Sequence, residues 1–546
     1  MQNEIAAQSA TRLLAPPSAL SVVLLLLVLG FFGLIRFRLR AMPLERDEGE
    51  YAYAGQLMLQ GIPPYQLAYN MKLPGIYEAY AEMLKIFGQT SAGIHIGLLL
   101  VNAAASIVLY VLTSLLFGRL AGVVAASAYA LLSTSASVMG FEAHATHFVV
   151  LPMTVSALLL LRAIPARDSG LIFVSGLSSG IAVLMKQHGG FFALFFLTYL
   201  FGELRKQHQS PWWVANRCAG FASGVVLPYA LTCGLLYRAG VLGEFWFWTV
   251  SYAGEYSKIG LHRAIRALLE NSHAVIAPAA PLWTLAAIGI SAPWWSVRAQ
   301  KRSRFLWGLL GCSFVALCPG GYFRPHYFIL LLPVVAILTG VAVSSARERL
   351  EGTGKLASAA AVLIFILSFA GAIFQQRHEY FSMTPVEVFQ KTYPGSPFLA
   401  AIQVADYVRE NSSAAARVAV LGSEPEIYFY ARRHSATGYL YMYSLVGQQK
   451  YSAQMREQML NELETNRPEY LVYVDVWDSW GGREGGADLA VFLSRLREFA
   501  EQNYERTGVA DLGQTDLGQT TAYIWGDAAR NYSPRSASAI YVLKRK

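Results

Sequence analysis

Charge is scarce in this sequence. Only 14% of its 546 residues are Asp, Glu, Lys or Arg, against about a quarter in an ordinary soluble protein, while 54% are hydrophobic. Such a chain has too little polar surface for water, and a membrane protein is the default reading. Cysteine is equally sparse. The four, Cys218, Cys233, Cys312 and Cys318, lie in or beside apolar runs and none falls in the polar tail, which argues against a disulfide framework or a zinc site. They read as small apolar core residues. No G-x-G-x-x-G follows a strand and opens a helix, and no P-loop is present, so a nucleotide-sugar donor or an ATP-driven pump has no visible site. The net charge of +9 does not point to nucleic acid, because Lys and Arg come in short clusters between apolar runs rather than along one stripe.

What the chain does have is a series of apolar runs up to about Phe374, followed by mixed, polar sequence. The first run, Ser18 to Ile35, lacks a small-residue cleavage site and is read as a retained helix. Ten more follow: Gly93 to Phe117, Leu120 to Val138, Ala143 to Leu161, Gly170 to Met185, Gly189 to Leu200, Ala219 to Tyr237, Ala274 to Ile290, Phe305 to Leu317, Tyr327 to Val343 and Leu356 to Phe374. The expected fold class is a polytopic all-α membrane bundle of about eleven transmembrane helices, several of them short. With the N-terminus inside, the cytoplasmic loops carry Arg119; Arg162 and Arg167; Arg205, Lys206 and Arg217; Arg298, Lys301, Arg302 and Arg304; and Arg347, Arg349 and Lys355, as the positive-inside rule asks. Arg36, Arg38 and Arg40 break the pattern, falling outside.

An odd number of spans sends the tail outward. The expected division is residues 1–375 as the membrane body, with a long first outer loop at 45–90, and residues 376–546 as an extracytoplasmic α/β domain. The tail shows strands at Arg417 to Leu421, Tyr470 to Val474, Ala522 to Trp525 and Ala539 to Leu543, and a helix at Asp488 to Phe499. The tandem DLGQT at Asp511 to Thr515 and Asp516 to Thr520 reads as a loop or hairpin.

Ionisable residues at membrane depth are costly and therefore functional candidates. The first outer loop holds Glu45-Arg46-Asp47-Glu48-Gly49-Glu50-Tyr51 and then Asn70-Met71-Lys72-Leu73-Pro74-Gly75. A turn at Gly61-Ile62-Pro63-Pro64 and a helical stretch after Glu50 let Asp47 and Lys72 face one cavity. The plain alternative for Glu45, Glu48 and Glu50 is a first helical turn, where carboxylates favour the dipole.

D-E-x-x-Y, here Asp47-Glu48-Gly49-Glu50-Tyr51, followed about twenty residues later by K-x-P, here Lys72-Leu73-Pro74, resembles the protein O-mannosyltransferase and lipid A aminoarabinose transferase superfamily, the GT-C enzymes of glycosyltransferase family 39 and its relatives. The resemblance extends to Lys186-Gln187, to Arg324-Pro325-His326-Tyr327 before a helix containing Pro333, and to Ala405-Asp406-Tyr407 with Val418-Ala419-Val420-Leu421-Gly422. It implies a bacterial cell-membrane glycosyltransferase with an extracytoplasmic site. Its substrate-binding residues would include Tyr51, Gln187, His326 and Tyr327. One departure stands out. Where many members carry an acidic residue or Asn-x-Glu, this chain has Phe141-Glu142-Ala143-His144-Ala145-Thr146-His147, so Glu142 takes the acidic role or the acceptor differs, and Glu142 and His144 join the substrate-binding candidates.

The chemistry asks for the same residue types. A polyprenyl-phosphate donor needs cations at membrane depth, and Lys72, Lys186 and Arg324 are suited, although each also suits a snorkelling interfacial role. The acceptor needs a base. Asp47, made more basic by burial and by Glu48 beside it, is the natural one, with direct displacement inverting the anomeric centre. Asp47 and Glu48 are thus the catalytic candidates. His144 and His147 share a helical face and are metal candidates, with cavity-lining polar residues as the plainer reading. No cofactor is fixed, and a divalent cation is left open. Trp246, Trp248, Tyr252 and Tyr256, with Glu255, Lys258, Arg263 and Arg266 in the loop Glu244 to His273, read as interfacial belt anchors, with sugar stacking as the alternative. The expected partners are a polyprenyl-phosphate sugar, an envelope glycan, lipid or protein acceptor, and the membrane, without nucleic acid. The competing functions are a transporter or flippase of lipid-linked glycans, disfavoured by the absence of an inverted repeat with broken helices, and an assembly protein recruiting envelope partners.

Overall fold

The computed structural model describes residues 18–256, 260–481, 486–515 and 518–546. The chain forms two compact units, each assembled from separated stretches: Met1–Leu39, His95–Leu231 and Ile259–Met383 in the first, and Arg40–Ile94, Thr232–Lys258 and Thr384–Lys546 in the second.

The first unit is helical. Among the described residues six helices have the length and apolarity to cross a membrane: Ala19–Leu39, Ser91–Phe117, Ala145–Ala166, Pro211–Arg238, Leu261–Trp294 and Lys355–Gln375. The chain is a multi-pass membrane protein. Shorter apolar helices, Arg119–Leu132, Ser169–Met185 and Ser303–Val315, lie between them. Leu332–Leu350 is the centre of the unit: every residue from Leu332 to Ser345 is buried, as expected of a helix that is apolar all round. Small residues let its neighbours approach. A Cβ on Gly340 would stand 2.4 Å from the Ala121 carbonyl oxygen, and one on Gly289 would stand 2.1 Å from that of Leu338.

The stretch read from sequence as one span from Leu120 to Val138 is interrupted. Its helix stops at Leu132, and a short 3-10 turn covers Ala136–Val138. Arg36 explains the break: its guanidinium donates to the carbonyls of Ser133 (2.6 Å) and Gly140 (2.7 Å), groups that a continuing helix would have used itself. Arg38 likewise donates to the carbonyls of Met383 (2.6 Å) and Glu379 (2.5 Å). Arg36 and Arg38, two of the cations that violated the positive-inside pattern, are therefore bound to backbone carbonyls within this unit, and Arg36 is buried, so neither is the solvated loop charge that the rule counts.

The second unit carries a mixed sheet ordered β2-β1-β3-β6-β4-β5, with β1 Arg417–Leu421, β2 His434–Ser435, β3 Tyr470–Asp475, β4 Tyr504–Thr515, β5 Gly518–Trp525 and β6 Ala539–Arg545. β2, β1 and β3 are parallel, and the rest pair antiparallel. β1 is buried from Val418 to Leu421, on both faces, as parallel strands covered by helices must be. The sequence reading missed β4, whose Gly508, Asp511 and Gly513 dilute the alternation of a strand. The DLGQT tandem lies on the β4–β5 hairpin, with Asp516 and Leu517 outside the described residues.

The first-loop segment belongs to this same unit. Arg46–Leu59 forms a helix capped by Glu45, whose carboxylate accepts from the Glu48 amide at 2.9 Å, with Asp47 and Glu48 in the first turn. It lies against Glu426–Ala431. A Cβ on Gly49 would be 2.6 Å from the Glu426 amide nitrogen, and Tyr53 stacks on Tyr428 with centroids 5.1 Å apart.

Candidate active site

Asp47, Glu50 and Tyr51 stand at i, i+3 and i+4 on the helix Arg46–Leu59, so they share one face. Lys72 comes back to that face just before the helix Pro74–Phe87. Its ammonium lies 2.6 Å from Asp47 Oδ1 and 3.1 Å from Glu50 Oε2, over the Tyr51 ring at 4.6 Å. The structure thus brings Asp47 and Lys72 together, as their shared loop led one to expect, and adds the Tyr51 ring beneath the lysine.

It also adds groups that sequence reasoning did not assign. Glu50, fully buried, is the hub. Its Oε2 accepts from Lys72, from Asn70 Nδ2 (2.8 Å) and from Tyr441 Oη (2.7 Å), and its Oε1 accepts from Tyr77 Oη (2.5 Å). Tyr65, buried and with φ of +68°, donates its hydroxyl to the Lys72 carbonyl at 2.7 Å and so fixes where the lysine emerges. The i, i+3 spacing of Asp47 and Glu50 was a usable signal. Tyr441 had none, because it arrives from the far end of the chain.

The electrostatics follow from burial. It pushes the Glu50 carboxyl up, against the pull of Lys72 and the Tyr77 hydrogen bond. Burial also opposes the Lys72 charge, but Asp47 and Glu50 outweigh it and hold the ammonium well above its ordinary value. Lys72 therefore stays charged at any physiological pH. Asp47 and Lys72 keep about a fifth of their side chains exposed, whereas Glu50 keeps none, so Asp47 is the carboxylate of the pair that a ligand can reach. Glu48 is fully buried.

The helix is locked at its start. Arg46 donates through Nε to the Ser423 carbonyl at 2.6 Å, pairs with Glu424 at 3.3 Å, and lies over the rings of Tyr443 (5.2 Å) and Phe398 (5.4 Å). Burial raises the Glu424 carboxyl despite Arg46, and raises Glu426 well above its ordinary value with Glu424 adding to the effect. Neither carboxyl oxygen of Glu426 has a hydrogen-bond partner among the described residues.

The other candidates lie in the first unit, where Lys186, Tyr327, His326 and His144 form a chain of contacts. Lys186 Nζ sits over the Tyr327 ring at 4.3 Å, and the His188 ring is 5.3 Å from it. His144 and His326 are buried and stacked, with centroids 4.0 Å apart. Glu142 is buried, whereas Gln187 and Arg324 are exposed. His147 is buried as well, with its Nδ1 3.2 Å from Asn102 Oδ1. In the second unit the loop aromatics divide. Trp246 is exposed, but Trp248 is 3% exposed, stacked on Tyr69 at 5.5 Å and against Tyr252 at 5.0 Å, so it is a core residue rather than a belt anchor or an open sugar platform. Lys258 and the Tyr256 side chain lie outside the described residues.

Residues 76–231 match the sequence model of the dolichyl-phosphate-mannose-protein mannosyltransferase family. None of the curated proteins matches the chain by sequence. In fold it is similar to ArnT from Cupriavidus metallidurans bound to undecaprenyl phosphate, with a TM-score of 0.56 and 16% identity over 92% of this chain and 97% of that one. It is similar too to the oligosaccharyltransferase AglB from Archaeoglobus fulgidus in complex with an inhibitory peptide and a dolichol-phosphate (TM-score 0.53, 14% identity, 93% and 75% covered). A third is the arabinofuranosyltransferase AftD from Mycobacteria (TM-score 0.50, 13% identity, 95% and 39% covered). Residues 76–231 are thus similar to the dolichyl-phosphate-mannose-protein mannosyltransferase family, and over nine-tenths of its length the chain shares the fold of these three solved structures.

Proposed function

We propose that the chain transfers a sugar from a polyprenyl-phosphate donor to an extracytoplasmic acceptor, an envelope glycan, lipid or protein, with Asp47 as general base. The observation that carries this reading is the pairing of Asp47 with a permanently charged Lys72, itself braced by the buried Glu50. In the step proposed, the acceptor hydroxyl or amine gives its proton to the Asp47 carboxylate as its oxygen or nitrogen bonds to the anomeric carbon. The bond from that carbon to the phosphate oxygen breaks, and polyprenyl phosphate leaves with the electron pair, so the centre inverts. Phosphate is a good leaving group at neutral pH and needs no strong acid. Lys72, Lys186 and Arg324 are assigned to its charge. Tyr51, Glu142, His144, Gln187, His326 and Tyr327 are assigned to the substrates, and Glu48 is the carboxylate accompanying the base.

The topology proposed with it has eleven spans, residues 1–375 in the membrane of a bacterial cell and residues 376–546 outside. The basic loops support it, and so does the removal of Arg36 and Arg38 from the count of topological charges. The test is transfer of radiolabelled sugar from synthetic polyprenyl-phosphate sugars to envelope extracts by wild type and Asp47→Asn. Transfer by wild type alone is the expected result. Equal transfer by both would remove Asp47 as base.

A further inference from the structure

The helix Ala487–Asn503 covers one face of the six-stranded sheet without closing on it. It buries Leu489, Phe492 and Leu496, and beside that face Leu493, Leu496, Arg497, Ala500 and Glu501 recur at i, i+3, i+4, i+7 and i+8 along one wall of an opening. Opposite them stand Tyr473 and Asp475 of β3, Tyr541 of β6 and Arg506 of β4. Between the two walls is a cleft of about 490 Å³, a volume typical of small-molecule sites, and none of its lining belongs to the candidate active site.

Its floor is aliphatic, from Leu421, Leu471, Leu493, Leu496 and Leu543, and two further chemistries stand on it. One is aromatic: the Tyr473 ring has Trp480 at 5.7 Å and Tyr541 at 6.1 Å, and Trp480 is fixed by its indole N–H donating to the Val474 carbonyl at 2.7 Å. The other is charged but balanced, with Asp475 and Glu501 against Arg497 and Arg506. A phosphate or carboxylate ligand calls for an excess of cations, and an alkyl chain calls for a wall without charges. A neutral polyhydroxylated ring meets both halves of the lining. Its C–H faces lie on aromatic rings, and its hydroxyls donate to carboxylates and accept from guanidinium groups. Arg506 already has a donor to spare: its Nε is buried with no hydrogen-bond partner among the described residues, beside the Tyr541 ring at 5.9 Å.

We infer that this cleft binds a neutral saccharide unit. The inference does not depend on the transfer proposed above, since the cleft holds sugar whether or not the chain moves one. The test is calorimetric titration of the full chain in lipid nanodiscs with maltotriose, mannotriose, galactotriose and arabinotriose. At least one binds wild type. Tyr473→Ala weakens it roughly tenfold or more, and Ala500→Trp, which fills the cleft, abolishes it, each with thermal unfolding like that of wild type. Asp47→Asn binds as wild type does, which separates this site from the transfer reaction. Binding of none of the four, binding that survives Ala500→Trp, or loss of binding in Asp47→Asn would each overturn the assignment. So would preferential uptake of lauric acid by the cleft.

Discussion

Removing the hub of the network is the sharpest perturbation, and two substitutions at Glu50 separate its charge from its hydrogen bonds. Glu50→Gln keeps the shape. Its amide oxygen takes the place of Oε2 and still accepts from Lys72, Asn70 and Tyr441, while its NH₂ faces Tyr77, whose hydroxyl turns to accept. What is lost is charge assistance on three bonds, partly offset because burial already disfavours a carboxylate here. The expected net cost is about 1–2 kcal/mol. Glu50→Ala removes every acceptor at once, leaving buried donors unmet and Lys72 with Asp47 as its remaining ion-pair partner among the described residues, at a cost of about 3–5 kcal/mol. Thermal unfolding of both variants in detergent, followed by tryptophan emission, gives the order wild type, Gln, Ala. Sugar transfer falls further in Glu50→Ala, where Lys72 loses one of the two groups that position it beside Asp47, than in Glu50→Gln, where an acceptor remains. Equal stability of the Gln and Ala variants would refute the reading of Glu50 as a hydrogen-bond hub, and wild-type stability of Glu50→Ala would refute the network altogether.

Gly49→Ala drives a methyl group into the Glu426 backbone and is expected to cost about 1–3 kcal/mol, seen as a lower unfolding temperature; an unchanged temperature would mean that the contact is slack. Arg36→Lys cannot serve the Ser133 and Gly140 carbonyls together in the same geometry. It should destabilise by about 1–3 kcal/mol, whereas a mere topological charge would tolerate the exchange, as read by unfolding in detergent. Glu426 has a native pKa raised above its ordinary 4.5, so the folded state binds more protons than the unfolded one between those two values, and its contribution to stability falls as pH rises through that window. Unfolding temperatures measured from mildly acidic to neutral pH should therefore decline, and Glu426→Gln should flatten the decline; an unaltered slope in the variant would count against it.

Most of the membrane body was legible in the sequence because hydrophobic length is a local property. Each of the eleven apolar stretches contains helix, and β1 was read at its full extent from a run of β-branched and apolar residues. The break after Leu132 was not legible, because the cause, Arg36, lies about a hundred residues away and looked like a loop charge. Asp47 and Lys72 could be paired from their shared loop. Glu50 looked like an ordinary first-turn carboxylate, since its importance depends on Tyr441, which no local pattern connects to it. Trp248 misled for a related reason: an aromatic in a loop between apolar helices reads as interfacial until Tyr69 and Tyr439 are seen packed around it.

The helix carrying Asp47 finds its packing surface on residues from the last third of the chain: Arg46 against Ser423 and Glu424, Gly49 against Glu426, and Tyr53 against Ser435. During synthesis that helix emerges from the ribosome on the order of tens of seconds before its partners do, at ordinary elongation rates. For that interval a helix bearing Asp47, Glu48 and Glu50 within four residues has neither the arginine clamp nor the tyrosine from position 441 in place. The loop proposed to carry the base is therefore unfinished until residue 441 has been made, and a stop codon or frameshift before that point would yield a protein whose helix Arg46–Leu59 lacks its packing surface, a natural client for quality-control proteolysis.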